Sequence, residues 1–538
     1  MQVPKNCDGK AGLEWLTLPY ILESNARRNP EKEAVVDVTY GKRFTYEQAY
    51  RRANKVANAL TKLGIKDGDR VAYLSLSTEE SFHLVFGIAS ISAVWVPLNF
   101  RLVLDAWVNQ INHSGAIALV CQDKYCKAID PGRAAMKNVK YYIAYGKNIP
   151  EGWLDFEELV GEASDNPPAH EAKYDDLASI SYTSGTTGDP KGCMRAQTDW
   201  IAYAILNAVQ QRWDTHTKTF TLMDMIHQGG LYVTFSTMFV DGTIYYLELF
   251  DPAKAWDLVY KEKLNDIVPI YVGMQMWVNM PNRPDYDMSH VRSVWWGIQT
   301  DYNLWQAGLK LFPKAEHNTS FQSTEGYFSM CFYDEFLQQD PAKWEGLGKG
   351  KILEGRAAYG QELMITDLDG NKELPEGQYG MIWSRGMANY DGYWDAPELN
   401  KKFVKPGGWI TSEDAGYIEP KTHFLYFVDR VKDIVRSGGE NVPTSDVEMV
   451  LMKHPKIQKV AVIGTPHKDL GETVTAIIEC KPGEKATPEE ITEFCRGKLG
   501  GPALPRRVEF VEEIPVVGFK KLIDKKLLKQ KYSEKYKI

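Results

Sequence analysis

The chain has little cysteine for its length. Seven cysteines (Cys7, Cys121, Cys126, Cys193, Cys331, Cys480 and Cys495) are spread over 538 residues, an odd number with no Cys-x-x-Cys pair and no close histidine companion. Neither a disulfide framework nor a zinc site is expected. Long hydrophobic runs are missing too: the most apolar segment, residues 83–100, is broken by Gly87, Ser90, Ser92 and Pro97. A spanning helix needs about 20 predominantly apolar residues, so no membrane insertion is expected. The opening MQVPKNCDGKAGLEW has no apolar stretch behind a basic start, which speaks against secretion. Basic excess is also absent, with 63 Lys and Arg against 71 Asp and Glu for a formal charge of −8. Such a field repels phosphate backbones and argues against dedicated nucleic-acid binding, while leaving a local anion-binding cleft open. Repeats and low-complexity tracts are lacking. What remains is a cytoplasmic globular protein, 44% hydrophobic and 25% charged, long enough for more than one domain.

The order of elements gives a fold class. Thr45 to Gln48 form a capping-box pattern ahead of a helix with apolar positions at Ala49, Ala53, Val56, Ala57 and Leu60 that stops at Gly64. A strand over DGDRVAYLSL, a helix over SFHLVFGIASISA and a strand over VWVPLN follow. The alternation recurs in 201–275, with a helix over IAYAILNAVQQ, strand TIYYLE, helix PAKAWDLVYKEK and strand DIVPIYV. This reads as βαβ units around parallel sheet. Residues 355–430 switch to short strands separated by turn pairs, an antiparallel region. Beyond Arg430 about a hundred residues carry a small α+β pattern and end in a lysine-rich helix. The expected architecture is a large N-terminal α/β body (1–430) with an added antiparallel β region, and a small mobile C-terminal α+β domain (431–538).

The chemistry lies first in LASISYTSGTTGDPKGCM. A β-rich lead-in enters a loop of Thr183, Ser184, Gly185, Thr186, Thr187 and Gly188, followed by Lys191. Glycines let backbone N–H groups converge on one point, and hydroxyls and an ammonium add donors, which suits a polyphosphate. The spacing is not G-x-x-x-x-G-K-[ST], so an ordinary P-loop ATPase is disfavoured. The stretch YTSGTTGDPKG closely resembles the signature of the adenylate-forming superfamily, which comprises acyl- and aryl-CoA synthetases, peptide-synthetase adenylation domains and beetle luciferases.

The resemblance implies roles for further segments. Phe321, Gln322, Ser323, Thr324 and Glu325 stand where that family reads roughly Y-G-x-T-E, making Thr324 the phosphate-contacting threonine and Glu325 the Mg²⁺ carboxylate. GWITSEDAGYI is similar to G-W-x-x-T-G-D-x-G-Y, placing Asp414 on the ribose hydroxyls, with Ser412 and Glu413 departing from the usual Thr-Gly. YFVDRVKDIVRSGGENV matches the domain junction, with Arg430 on the ribose, Lys432 at the hinge, and Gly438 and Gly439 beside the pantetheine arm of coenzyme A. The family's P-x-x-x-x-G-K pattern falls on residues 515–521, so Lys521 is the expected catalytic lysine. Lys520 occupies the glycine position and remains its rival.

TLMDMIHQGGL resembles P-x-F-H-x-G-G-L and puts His227 at a gating aromatic position beside an acyl pocket. No aspartate follows it, which argues against amino-acid substrates. Gly297, Ile298 and Gln299 replace a small-residue stretch lining the adenine and acyl pockets, after Trp295 and Trp296. Gln322 replaces a glycine and adds an amide that needs a partner if buried. The implied activity is an ATP-, Mg²⁺- and coenzyme A-dependent acid–thiol ligase acting on a ring-bearing or polar carboxylic acid through an acyl adenylate. Loading onto a carrier protein, or a degenerate nucleotide-binding homologue, stand as alternatives, and a homodimer is left open.

Overall fold

The computed structural model describes residues 15–183, 190–297, 302–332, 352–517 and 522–537. Ser184, Gly185, Thr186, Thr187, Gly188, Gln299, Lys520 and Lys521 lie outside these. Contacts divide the chain into two units: residues 1–334, 358–362 and 384–410 in the first, and 335–357, 363–383 and 411–538 in the second.

The first unit holds two sheets of mainly parallel strands. One runs Leu154–Asp155, Tyr141–Tyr145, Ala118–Gln122, Arg70–Leu74, Val94–Pro97 and Leu177–Tyr182, all parallel, and ends with Gly192–Ala196 antiparallel to its neighbour. In the other, Glu33–Asp37, Thr243–Tyr246, Lys218–Thr221, Asp266–Val268, Ser293–Trp295 and Glu316–Gln322 pair in parallel, with Lys42–Thr45 and Tyr327–Phe332 antiparallel on the flanks. The helix Tyr46–Lys62 starts with the expected capping box at Thr45 and Gln48 and buries Ala49, Ala53, Val56, Ala57 and Leu60. Its apolar stripe repeats at helical spacing, so one face packs into the core. The expected strand DIVPIYV is shorter than its composition suggests: Asp266–Val268 is strand and Ile270–Val278 is helix. Pro269 has no N–H for the ladder and sits at φ −71°, ψ −12°, which starts a helix instead. Trp95, Trp200, Trp277, Trp295 and Trp296 are fully buried. Each of the last three donates its indole N–H, to Pro252 C=O, Ser320 Oγ and His317 Nδ1 respectively, and is ordinary core.

In the second unit, Asp414–Ile418 pairs antiparallel with Leu425–Arg430, which pairs with Ile352–Ala357. A second sheet joins Glu440–Val442, Val435–Ser437, Gly471–Cys480 and Ile457–His467, with Arg507–Val511 parallel to Gly471–Cys480. The helix Thr444–Met452 packs on it, and Lys525–Lys535 forms the lysine-rich terminal helix. Among the described residues no helix is long and apolar enough to cross a membrane. Cys121, Cys126, Cys193, Cys480 and Cys495 are free thiols.

Candidate functional site

The phosphate-type loop is the connection of a hairpin. Strands Leu177–Tyr182 and Gly192–Ala196 are antiparallel, and the Thr183 N–H donates to the Lys191 carbonyl at 3.1 Å, closing the stem. A Cβ at position 192 would sit 2.6 Å from Ile180 Cγ2, so any larger residue after Lys191 would force the Ile180 side chain to shift. Lys191 Nζ lies 4.6 Å from the Phe403 ring centroid and 5.7 Å from that of Tyr393. Aromatic faces there steady the ammonium without neutralising it.

A second hairpin supplies the Thr324–Glu325 turn. Glu316–Gln322 and Tyr327–Phe332 are antiparallel, the Ser323 N–H donates to Gly326 C=O at 3.0 Å, and the Glu325 N–H donates to Ser323 Oγ at 3.1 Å. Residues 388–394 bind both hairpins. Met194 N–H donates to Gly392 C=O, Trp394 N–H to Gly192 C=O, and Tyr390 N–H to Glu325 C=O at 2.8 Å. The segment thereby delivers the Tyr393 hydroxyl, which donates to Glu325 Oε1 at 2.7 Å. Both residues are buried, and burial together with the adjacent carboxylate drives the Tyr393 phenol far above its usual range. Burial and the same carboxylate also push the Cys193 thiol up, so it stays neutral. Arg195 completes the clamp. Its guanidinium is fully buried, lies over the rings of Trp200 and Tyr203, and donates to Ala388 C=O at 3.1 Å, Thr324 C=O at 3.2 Å and Gln228 Oε1 at 3.4 Å.

Thus Thr183, Lys191, Phe321, Gln322, Thr324 and Glu325 come together in one unit. Phe321 packs on Phe328 at 5.1 Å between centroids, and Gln322 Oε1 accepts from the Tyr203 hydroxyl at 2.8 Å. His227 is exposed at the start of the helix Gln228–Phe239, with Arg101 Nη1 3.4 Å from its Nε2. Beside it the Asp224 carboxyl is pushed up to about 6 by burial, against the opposing pull of Arg101.

The other candidates belong to the second unit. Asp414 is buried, accepts from Ser412 Oγ at 2.5 Å and sits opposite Arg430, whose Nε is 3.5 Å from Oδ1. Burial, reinforced by the Asp414 charge, holds Glu354 well above the carboxylate range and therefore neutral. Glu413 adopts φ +60°, a left-handed conformation that favours glycine. Lys432 is exposed in the short turn Val431–Asp433. Gly438 and Gly439, at φ +61° and +85°, make the two-residue turn between Val435–Ser437 and Glu440–Val442. Both positions need φ > 0, so Gly-Gly suits a hairpin turn of this hand. Asp429 was missed by sequence reasoning. Its Oδ2 accepts from Thr444 N–H and Oγ1 and from Ser445 N–H, capping the helix Thr444–Met452. Arg195, Tyr390 and Tyr393 were missed as well, because nothing local marks a buried arginine or a tyrosine whose partner is 68 residues away.

For the fit to Mg²⁺, a hard dication wants oxygen donors and usually takes only one or two protein carboxylates. Glu325 offers such an oxygen set, with Oε1 oriented by Tyr393.

A family model for the AMP-binding enzyme matches residues 22–394, and one for the AMP-binding enzyme C-terminal domain matches residues 446–521. A fatty acid–[acyl-carrier-protein] ligase, ScoC, of Streptomyces coeruleorubidus is 27% identical, over 93% of each chain. A feruloyl-CoA synthase of an Amycolatopsis species is 27% identical, over 93% of this chain and 96% of the relative. Among solved structures, a Mycobacterium tuberculosis fatty acyl CoA synthetase superposes with a TM-score of 0.78 at 26% identity, covering 96% of this chain and 99% of that one.

Proposed function

The chain belongs to the AMP-binding enzyme family, and from that premise we propose that it is an ATP-dependent carboxylic acid:coenzyme A ligase. A carboxylate is a poor electrophile. Joining it to AMP, with loss of pyrophosphate, installs a good leaving group that a thiol then displaces. The observation that carries this reading is the joint made by Arg195 and Tyr393, which holds the Lys191 hairpin and the Thr324–Glu325 turn together.

In this reading the backbone and hydroxyls of Thr183, Ser184, Gly185, Thr186, Thr187 and Gly188, with Lys191, cradle the phosphates, and Thr324 adds a hydroxyl. Glu325 would hold Mg²⁺, which when bound neutralises phosphate charge as pyrophosphate leaves. Phe321, Gln322 and Gln299 line the base and acid pockets, and His227 stands beside the acid entrance. Asp414 and Arg430 take the ribose hydroxyls. Residues 431–538 form the mobile part, turning about Lys432 so that one domain serves both half-reactions. Lys521, with Lys520 its neighbour, brings an ammonium to the carboxylate and α-phosphate as charge builds. Gly438 and Gly439 let the backbone approach the pantetheine arm. The acid is ring-bearing or polar.

Carrier-protein loading is a second reading, favoured by the Streptomyces relative, which is named for acyl-carrier-protein ligation. Release of AMP from ATP and an acid, with and without free coenzyme A, decides between them. Lys521→Ala should abolish acid-dependent pyrophosphate exchange while sparing thioester formation from supplied acyl adenylate. Equal loss of both in Lys521→Ala, or loss of exchange only in Lys520→Ala, would contradict the assignment.

A further inference from the structure

Next to the Thr324–Glu325 turn, two helices and a strand meet along a polar seam. The helix Gln197–Gln210 and the residue after it contribute Tyr203, Asn207 and Gln211, spaced four apart and therefore on one face. The facing helix Gln228–Phe239 contributes Tyr232 and Ser236 at the same spacing. Strand Glu316–Gln322 adds Asn318, Ser320 and Gln322, alternate residues on one side.

These groups touch. The Tyr203 ring stacks on Tyr232 with centroids 4.6 Å apart, and its hydroxyl donates to Gln322 Oε1 at 2.8 Å. Gln322 Nε2 donates to Ser320 Oγ at 2.7 Å, Asn207 Nδ2 to Ser236 Oγ at 3.1 Å, and Asn318 Nδ2 to Gln211 Oε1 at 2.9 Å. A strand packed under two helices is ordinarily lined by aliphatic side chains. Here three amides are essentially buried, at 0%, 2% and 1% exposure for Asn207, Gln211 and Asn318. Their remaining atoms, Asn207 Oδ1, Gln211 Nε2 and Asn318 Oδ1, have no hydrogen-bond partner.

We propose that this seam is the acid-specificity surface, and that it selects a compact carboxylic acid carrying a neutral hydrogen-bonding group, a hydroxyl or an amide, over an unsubstituted alkyl chain. The inference rests on the ligase reading above. Gln322, half-buried and three residues before Glu325, is the member an acid seated at the Thr324–Glu325 turn reaches first. An alkyl chain running past it would part Gln322 from Tyr203 and Ser320 and lay methylenes against unpartnered amide atoms. A hydroxyl can instead accept from Gln211 Nε2 or donate to the asparagine oxygens. Arg195, which borders the seam at the Tyr203 ring, directs its Nη donors to carbonyl oxygens of Ala388, Thr324 and Gln228 and leaves its buried Nε unpartnered.

The test uses the full chain with ATP, Mg²⁺ and coenzyme A, and measures AMP release from matched acids: hexanoate against 6-hydroxyhexanoate, cinnamate against 4-hydroxycinnamate, and dodecanoate. One hydrogen bond of ordinary strength corresponds to about tenfold, so kcat/KM should favour the hydroxylated member of at least one pair by about that factor, with dodecanoate poorest. Gln322→Leu and Asn207→Leu should move that ratio toward one, and Asn207→Leu, which lies outside the nucleotide-binding residues, should leave the KM for ATP unchanged. Where Asn207→Leu does not fold, Gln322→Leu decides, because its side chain is only half-buried. Preference for dodecanoate, equal use of both members of every pair, or a ratio unmoved in the folded variants overturns this inference and leaves the ligase reading standing. No AMP release with any acid overturns the ligase reading, and this inference falls with it.

Discussion

Tyr393→Phe isolates the contact on which the proposed mechanism leans. The change deletes one oxygen and keeps the ring, with its neighbours Tyr390 at 5.0 Å and Phe403 at 5.5 Å. What is lost is the 2.7 Å hydrogen bond to Glu325 Oε1, made between groups 1% and 8% exposed. A hydrogen bond to a charged group contributes about 1.5–3 kcal/mol, and a factor of ten is about 1.4 kcal/mol. If Glu325 acts in the reaction only when oriented, kcat/KM for acid-dependent AMP release should fall by about 10- to 150-fold, with part of the loss recovered at higher Mg²⁺. Tyr390→Phe is the matched control. It removes the same atom from the same segment, but the Tyr390 hydroxyl makes no hydrogen bond to the Glu325 carboxylate, which is held by Tyr393. Its loss should change the rate by less than about threefold, because Glu325 keeps its Tyr393 partner. Steady-state AMP release across a Mg²⁺ series reads both. Equal losses in the two variants, or an unaffected Tyr393→Phe enzyme, would refute the role given to Glu325.

Two further predictions concern stability. Glu80 is pushed up to about 7 by burial and by the neighbouring Glu79 charge, well above the about 4.3 of an unfolded chain. Between those values the folded protein holds a proton that the unfolded chain has lost, so stability falls as pH rises through the window and is level above it. Glu80→Gln should therefore gain on the wild type by about 1–3 kcal/mol between pH 5 and pH 8, followed by urea unfolding of the first unit's fluorescence. A constant difference across that range would sink it. Glu413 holds φ +60°, where a side chain costs about 1 kcal/mol and glycine does not. Glu413→Gly should be more stable than Glu413→Ala, the reverse of the usual order, and Ala equal to or above Gly in melting experiments would contradict it.

The sequence made the architecture legible because its elements are locally determined. The Thr45–Gln48 capping box and the Ala49 to Leu60 stripe contain their own geometry within four or five residues. The DIVPIYV segment was harder because a run of apolar residues suits a buried strand and a buried helix equally, and one proline decided it. The candidate site was legible wherever its residues sit in one hairpin or turn, as with Lys191 or Thr324 and Glu325. It was illegible where a function depends on a partner distant in sequence. Arg195 looks like any strand residue until its donors are traced to Thr324 and Ala388, 129 and 193 residues away. The polar seam was equally hidden: Asn207, Gln211 and Asn318 are unremarkable letters in their own segments, and only the meeting of three elements makes them a surface.

The departures from the family pattern bear on whether the chain is an enzyme or a degenerate relative. A decayed site is expected to lose the geometry its motif once enforced, because nothing then maintains a strained or polar buried position. Position 413 does the opposite. The backbone keeps the left-handed turn that a glycine would supply, with the Glu413 N–H donating to Thr411 Oγ1 at 3.0 Å and its carbonyl accepting from Val431 N–H at 2.9 Å. That turn leads directly into Asp414, which is buried and held by Ser412 and Arg430. Gln322 behaves similarly: the amide that replaces a glycine is satisfied at both ends by Tyr203 and Ser320 instead of crowding the turn that carries Thr324 and Glu325. Strain of about 1 kcal/mol and a hydrogen-bonded amide are sustained in a marginally stable fold when they serve something. Substitutions that preserve the shape of the nucleotide-side turns while altering the acid side are those expected of a ligase with a changed substrate.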